Sequence, residues 1–228
     1  MSKTVAFLFA HPDDETFSAA CLIHEIKARG GRSILLCATR GDAGKTGLLK
    51  PMSKQELAIV REQELEAACA IMGITDITHL GHPDGQLADV PREELVNQLV
   101  DYLNENQADI VITFPEDGIS GHRDHIAIHH AVNAAVKSGR CSTVQKLYYC
   151  TPAAPENRDQ VSVQIKVAPH WEMKARALKA HESQHFSVER VFGDMTSLPS
   201  LPAMQAESFT LVWEQGVEVS VKQEAFIF

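Results

Sequence analysis

The sequence predicts an α/β fold, in which a mostly parallel, Rossmann-like sheet carries helices on both faces and a C-terminal cap segment. Two observations support this prediction. Short, continuous apolar runs, typical of strands buried on both faces, alternate with longer segments that have helix caps or helical periodicity. This alternation stops near residue 151. The 228 residues fit a single domain, which we expect to consist of a core sheet over residues 1–150 and an extension over residues 151–228.

The first predicted strand, Thr4–Ala10, is apolar throughout and ends at a polar cluster. A helix over Phe17–Ala28 follows, and Gly30 and Gly31 close it, because glycine readily adopts the conformation that ends helices. Ser33–Ala38 is a second buried strand. A strand, a helix and a second strand in this order favour a parallel pair joined by a crossover helix.

The second predicted helix is the longest. Ser53 can cap its start, Glu56 stands at the spacing of a capping box, and Gly73 ends it after about Met72. Ile77–Leu80 follows as a short third strand. The remaining core elements are an amphipathic helix over Pro91–Asn106, a strand over Ile110–Phe114, a helix over His125–Lys137 and a strand over Gln145–Cys150.

The segment after residue 151 has weaker signals. Val161–Val167 alternates apolar and polar residues, Trp171–His181 has helical periodicity, and Phe209–Trp213 is strand-like. Alternation is typical of a strand with one buried face. We therefore expect this segment to cap the sheet and not to form an independent domain.

Composition excludes several classes of protein. A hydrophobic fraction of 44% and a charged fraction of 22% exclude a disordered chain, a collagen-like chain and a coiled coil. The formal net charge of −9 disfavours nucleic acid and anionic membranes as partners. No apolar run reaches the roughly 18–20 residues that span a bilayer. The five cysteines form no CxxC pair, which predicts buried free thiols and a cytoplasmic location.

Charged or imidazole side chains follow each of the first four predicted strands. They lie within the segments His11–Glu15, Thr39–Asp42, Gly81–Gly85 and Glu116–His125. Open parallel sheets bind ligands beyond the carboxyl ends of their strands. The sequence therefore predicts a functional site at this edge of the sheet.

His11, Asp14 and His125 form a candidate metal site at two strand–helix junctions. Two imidazoles and one carboxylate, with positions left for water, are typical of catalytic zinc, and the same set also suits Fe(II). Taken singly, each residue has an ordinary structural interpretation, because acidic residues favour helix starts and isolated histidines are mostly structural. Their coincidence at two strand ends favours the metal site.

Three neighbouring residues have candidate catalytic roles. Asp13 is free to act as general base toward a metal-activated water, whose pKa zinc lowers to about 7. His122, as an imidazolium, could stabilise an oxyanion or protonate a leaving group. Asp124 is expected to orient His122 and raise its pKa.

Two motifs resemble the signatures of the LmbE-like, or PIG-L, zinc-dependent N-acetylglucosaminyl deacetylases. They are Ala10-His-Pro-Asp-Asp-Glu15 and Gly121-His-Arg-Asp-His125. Weaker similarity includes Arg61-Glu-Gln-Glu-Leu65, Leu80-Gly-His-Pro-Asp-Gly85 and Ala180-His-Glu-Ser-Gln184. The resemblance implies that His11, Asp14 and His125 bind zinc, with Asp13 as the general base and His122 assisting.

The resemblance further implies a substrate: an N-acetylated sugar conjugate whose acetyl group is removed by hydrolysis. It implies that Arg61 and Asp84 hold the sugar and that Arg40 reaches an anionic aglycone. The alternatives are an i,i+3 pair of Arg61 with Glu64 and a surface role for Arg40 near Asp42. Many relatives assemble into homo-oligomers, and the oligomeric state of this chain stays open.

Other functions remain alternatives. The amide could belong to a non-sugar compound or a thiol conjugate, or the protein could bind a sugar or metal without catalysis. A nucleotide site is disfavoured, because the first strand–helix turn has no GxGxxG or GxxxxGK[ST] motif and presents acids where a phosphate needs amides.

Overall fold

A computed structural model describes residues 2–151, 159–220 and 222–228 of the chain. Its strands are β1 (Thr4–Phe9), β2 (Arg32–Thr39), β3 (Asp76–His82), β4 (Ile110–Thr113), β5 (Lys146–Thr151), β6 (Val163–Lys166), β7 (Ala206–Glu214) and β8 (Val217–Glu218). Its α-helices are α1 (Asp14–Ala28), α2 (Lys54–Met72), α3 (Arg92–Glu105), α4 (Arg123–Lys137), α5 (Trp171–Ala180) and α6 (His185–Phe192).

The strands form one mixed sheet in the order β3-β2-β1-β4-β5-β7-β6, with β8 paired to β7. The five strands from β3 to β5 are parallel, as predicted. The chain passes from β1 to β2 on one side and places β4 on the other. The carboxyl ends of β1 and β4 therefore border a crevice at the point where the strand order reverses, the usual ligand position in such sheets.

Burial explains why β1 stands at the centre of the parallel strands. Its residues from Val5 to Phe9 are fully buried, and β1 pairs with β2 and β4 on its two sides. Such a strand must be apolar on both faces, which is the pattern that predicted it.

Capping sets the bounds of α2 as the sequence predicts. The Ser53 side chain accepts a hydrogen bond from the Glu56 amide, and the Glu56 carboxylate accepts one from the Ser53 amide. Gly73 ends the helix at a φ of 108°, a conformation that side chains rarely tolerate.

The C-terminal segment extends the sheet as well as capping it. The β7 strand pairs antiparallel to β5, and β6 pairs antiparallel to β7, while α5 packs against α1 and α2. The sequence patterns predicted neither α6 nor the position of β7 between β5 and β6. No helix in the described part of the chain has the length and hydropathy to cross a membrane.

A buried ion pair joins α5 to β7. The Lys174 ammonium lies 2.6 Å from the Glu207 carboxylate, and the two side chains are 2% and 4% exposed. The carboxylate also accepts hydrogen bonds from the Cys21 and Leu22 amides in α1. Lys174 donates a further hydrogen bond to the Phe17 carbonyl. The pair therefore connects three elements of the fold.

Candidate active site

Polar side chains that follow three of the strands lie together at the carboxyl edge of the sheet. His11 follows β1, Asp84 follows β3, and His122 and His125 lie at the start of α4 after β4. All four line a cavity of about 730 Å³. The expectation that these strand ends meet is confirmed.

Four candidate ligand atoms of three residues face one another across this crevice. Nδ1 of His11 lies 3.1 Å from Nε2 of His125 and 3.6 Å from an oxygen of Asp14, and Nε2 of His125 lies 3.3 Å from the other Asp14 oxygen. Tetrahedral zinc, with ligand bonds of roughly 2.0–2.1 Å, separates its ligands by about 3.3 Å. The triangle therefore fits a zinc-sized ion, and its nitrogen–oxygen set suits Zn²⁺ or Fe²⁺.

Hydrogen bonds fix which nitrogen of His125 is available. Its Nδ1 donates to the Gly118 carbonyl at 3.0 Å, so the lone pair of Nε2 faces His11 and Asp14. The His122 ring also adjoins both histidines, with ring centroids 4.7 Å from His11 and 5.0 Å from His125. The three histidines and Asp14 together enclose the candidate metal position.

Two carboxylates orient His11 through Nε2, the ring nitrogen that does not face the candidate metal position. Its Nε2 lies 3.0 Å from Asp84 and 3.2 Å from Asp124. Burial opposes protonation of His11, but its contacts with Asp124, Asp14 and Asp84 raise the pKa of the imidazole well above its ordinary value. Carboxylates behind a ligand histidine fix its tautomer and make it a stronger ligand.

The position of Asp124 corrects one expectation. Its carboxylate accepts hydrogen bonds from the Gly85 and Leu87 amides and contacts His11, whereas only its backbone amide donates to Nδ1 of His122. The expected orientation of His122 by the Asp124 side chain is therefore wrong. The Gly85 and Leu87 amides, in the segment after β3, hold this carboxylate against His11, which follows β1.

His122 has a lowered pKa, not the raised one expected. Burial, together with the charges of His11 and His125, lowers the pKa of the imidazole and outweighs Asp124. Because Nδ1 accepts the Asp124 amide, the neutral ring carries its proton on Nε2. His122 is therefore a neutral hydrogen-bond donor at neutral pH, not an imidazolium.

Asp14 differs electrostatically from its neighbour Asp13. Burial raises the pKa of the Asp14 carboxyl, but His125 and His11 outweigh burial and hold it well below its usual range. Burial raises the pKa of Asp13 to about 6 against the opposing charge of Arg61. Asp14 is therefore a permanent anion, whereas Asp13 can exchange a proton near neutral pH.

The backbone of Asp13 is strained. Its φ of 118° is positive, a region that residues other than glycine rarely occupy. The Glu15 carboxylate accepts the Asp13 amide at 3.2 Å. Arg61 binds the Pro12 carbonyl and lies 3.2 Å from the Asp13 carboxylate. These contacts from both sides hold Asp13 at the cavity wall.

A buried network behind Asp13 was not predicted. Thr16 donates a hydrogen bond to Glu15, and its Oγ1 lies 3.0 Å from Nε2 of His181. Glu15, Thr16 and His181 are at most 1% exposed. The similarity at Ala180–Gln184 was the available signal, but the sequence did not indicate that this motif packs beneath Asp13.

The three residues expected to bind the substrate have different environments. Arg61 and Asp84 line the cavity, although Asp84 also orients His11. The alternative pair of Arg61 with Glu64 is not formed, because Glu64 binds the Ser183 amide and hydroxyl. Arg40 pairs instead with Glu62 and is absent from the described lining of the cavity, which contradicts its expected reach to an aglycone.

Comparison with known proteins adds to this geometry. Residues 6–136 match the family model described as PIG-L, GlcNAc-PI de-N-acetylase. The chain is 30% identical over 190 residues to a probable N-acetyl-α-D-glucosaminyl L-malate deacetylase 2 of Bacillus cereus, covering 81% of this chain and 84% of that protein. It is 31% identical over 169 residues to a 1D-myo-inositol 2-acetamido-2-deoxy-α-D-glucopyranoside deacetylase of Acidothermus cellulolyticus, covering 65% of this chain and 58% of that protein.

Solved structures share the fold at lower identity. N,N'-diacetylchitobiose deacetylase from Pyrococcus horikoshii superposes with a TM-score of 0.71 at 19% identity, covering 92% of this chain and 84% of that one. A 4-carboxy-2-hydroxymuconate hydratase from Pseudomonas putida has the same TM-score and identity, covering 95% and 99%. Since proteins of different activity share this fold, function depends on the residues of the site.

Proposed function

The chain belongs to the PIG-L family, and from that premise we propose that it is a zinc-dependent hydrolase that removes the N-acetyl group from an N-acetylglucosamine-type sugar or conjugate. The observation that supports this most is the triangle of His11, Asp14 and His125 with Asp13 free beside it. The names of the relatives from Bacillus cereus and Acidothermus cellulolyticus describe deacetylation of such conjugates. We also propose a cytoplasmic location, because all five cysteines are buried and unpaired.

Each residue has a distinct task in the proposed reaction. Zinc held by His11, Asp14 and His125 would polarise the acetyl carbonyl and acidify a water. Asp13 removes a proton from the attacking water, which its pKa of about 6 allows near neutral pH. The Nε2–H of His122 donates a hydrogen bond to the developing oxyanion. Asp13 then returns the proton to the leaving nitrogen, and acetate and a free amine are released.

The direct test is the release of primary amine from N-acetylglucosamine and its conjugates. Chelator-treated protein would be assayed alone and after addition of Zn²⁺ or Fe²⁺. We expect Zn²⁺ to restore amine release, and greater activity with Fe²⁺ would reject zinc as the preferred metal. No release with either ion bound stoichiometrically would reject the deacetylase function.

A matched variant tests the role of Asp13. Asp13→Asn keeps the size of the side chain but removes the base, so we expect about 10²–10⁴-fold lower kcat with unchanged zinc content. Elemental analysis would check the metal. Turnover near the wild-type rate would reject Asp13 as the general base.

A further inference from the structure

Part of the cavity lining is apolar. Phe17, Val191, Phe192 and Met204 line the same cavity as the candidate metal site. Phe17 and Phe192 pack edge to face with ring centroids 5.4 Å apart. The wall belongs to a second apolar cluster, separate from the main core, in which Phe17, Val191 and Met204 remain partly exposed. We call these four residues the apolar wall.

The charged side chains that line the cavity beside the apolar wall offer few free charges. Lys174 and Glu207 line the cavity but neutralise each other at 2.6 Å. Arg190 also lines it and is exposed to solvent, where water screens its charge. Arg40, the residue expected to attract an anionic aglycone, pairs with Glu62 instead. Of the three lysine and arginine side chains in the described lining, Arg61 and Lys174 are therefore paired with carboxylates, and Arg190 is exposed to solvent.

An apolar side chain also stands on the metal side of the cavity. Ile119 lines it and is 42% exposed. Its φ of 65° lies in the left-handed region, which is strained for a β-branched residue. The same loop supplies the Gly118 carbonyl that orients His125. The cavity therefore has a second exposed apolar side chain, next to the residue whose carbonyl orients His125.

We propose that the substrate carries an apolar aglycone, an alkyl or aryl group that lies against the apolar wall. The acetamide of the same substrate then reaches the candidate metal site of His11, Asp14 and His125. The inference rests on the proposed function and names its substrate class. A cavity of about 730 Å³ lies within the range of roughly 300–1,000 Å³ that holds drug-sized ligands, so it has room beyond one sugar ring. The inositol and malate groups named for the two relatives are polar by contrast.

The test is a homologous series of substrates for the zinc-loaded protein. Amine release would be measured with methyl, butyl and hexyl glycosides of N-acetylglucosamine and with its malate glycoside. Each buried methylene contributes up to about 0.8 kcal/mol, or about fourfold. We expect kcat/KM to rise about two- to fourfold per methylene and the malate glycoside to be the poorer substrate.

A variant pair connects the preference to the apolar wall. Met204→Asp places a charge in the wall, so the hexyl-to-methyl ratio of kcat/KM should fall at least tenfold. Val217→Asp makes the same kind of change on β8 at a side chain that is 66% exposed and does not line the cavity, and the ratio should stay as in wild type. Equal ratios in the two variants would overturn the assignment.

Binding without turnover separates this inference from the proposed function. Hexyl and methyl glucosides have no acetamide, so calorimetry reports the apolar contact even in a protein that hydrolyses nothing. Tighter binding of hexyl glucoside, lost in Met204→Asp, supports the inference. Equal binding of both glucosides, or a flat substrate series with preference for the malate glycoside, overturns it and leaves deacetylation standing.

Discussion

Replacing Lys174 by methionine tests how much the buried ion pair contributes to stability. The change keeps most of the apolar volume of the side chain and removes the ammonium that lies 2.6 Å from Glu207. The carboxylate is 4% exposed and remains fixed by the Cys21 and Leu22 amides. It therefore cannot swing into solvent and stays buried without its counter-charge.

The expected loss is large because the remaining carboxylate is almost fully buried and has lost its counter-charge. Removing one partner of a buried pair costs about 3–5 kcal/mol in the free energy of unfolding. A chain of 150–250 residues loses about 2–4 °C in Tm per kcal/mol. We therefore expect Lys174→Met to lower Tm by about 10 °C, measured by calorimetry and urea denaturation.

The control is a pair of similar geometry at the surface. Lys3 lies 2.7 Å from Asp109, which also accepts a backbone amide, but the two side chains are 34% and 21% exposed. Exposed pairs contribute about 0.2–1 kcal/mol, so Lys3→Met should cost at most that. Equal losses in the two variants would refute the argument from burial. Adding Glu207→Gln to Lys174→Met should recover part of the stability, because it removes the uncompensated charge.

Two further predictions concern the site and its support. Gly41→Ala should destabilise the protein more than Gly30→Ala in urea denaturation. Both glycines have positive φ, which costs an alanine about 1–2 kcal/mol. A Cβ at Gly41 would also meet the Arg61 guanidinium, whereas the space around Gly30 is open. Equal losses would show that Arg61 moves freely. His125→Ala should weaken zinc binding by more than about 100-fold, measured by competition with a chelator. His129→Ala, one turn later in the helix, should leave zinc affinity unchanged. Equal loss of zinc affinity in both variants would reject His125 as a ligand.

Much of the parallel sheet could be predicted because its signals are local. A strand buried on both faces, such as β1, must be apolar throughout, and α2 carries its capping box and terminal glycine in the sequence. The position of β7 depends instead on its pairing with β5 and β6, far away in the chain. Such pairing is decided by packing, not by any short pattern.

The site residues were predictable as a group but not in all their contacts. The motifs predicted His11 and His125 at the ends of two strands. The fold brings Nδ1 of His11 to 3.1 Å from Nε2 of His125. The direction of Asp124 was mispredicted, because its spacing from His122 favours a local contact while the Gly85 amide directs it across the crevice. The pairing of Arg40 was missed for a similar reason, because Glu62 lies in a helix whose position beside Arg40 has no local signal in the sequence.

The ion pair between α5 and β7 also has a consequence for synthesis on the ribosome. Lys174 and Glu207 are 33 residues apart, and at about 5–20 residues per second the second charge follows the first by about 2–7 s. During that interval Lys174 cannot be buried without an unpaired charge. The nascent chain should therefore leave α5 undocked until β7 emerges, and the apolar wall of the cavity closes only after the parallel strands can already have paired.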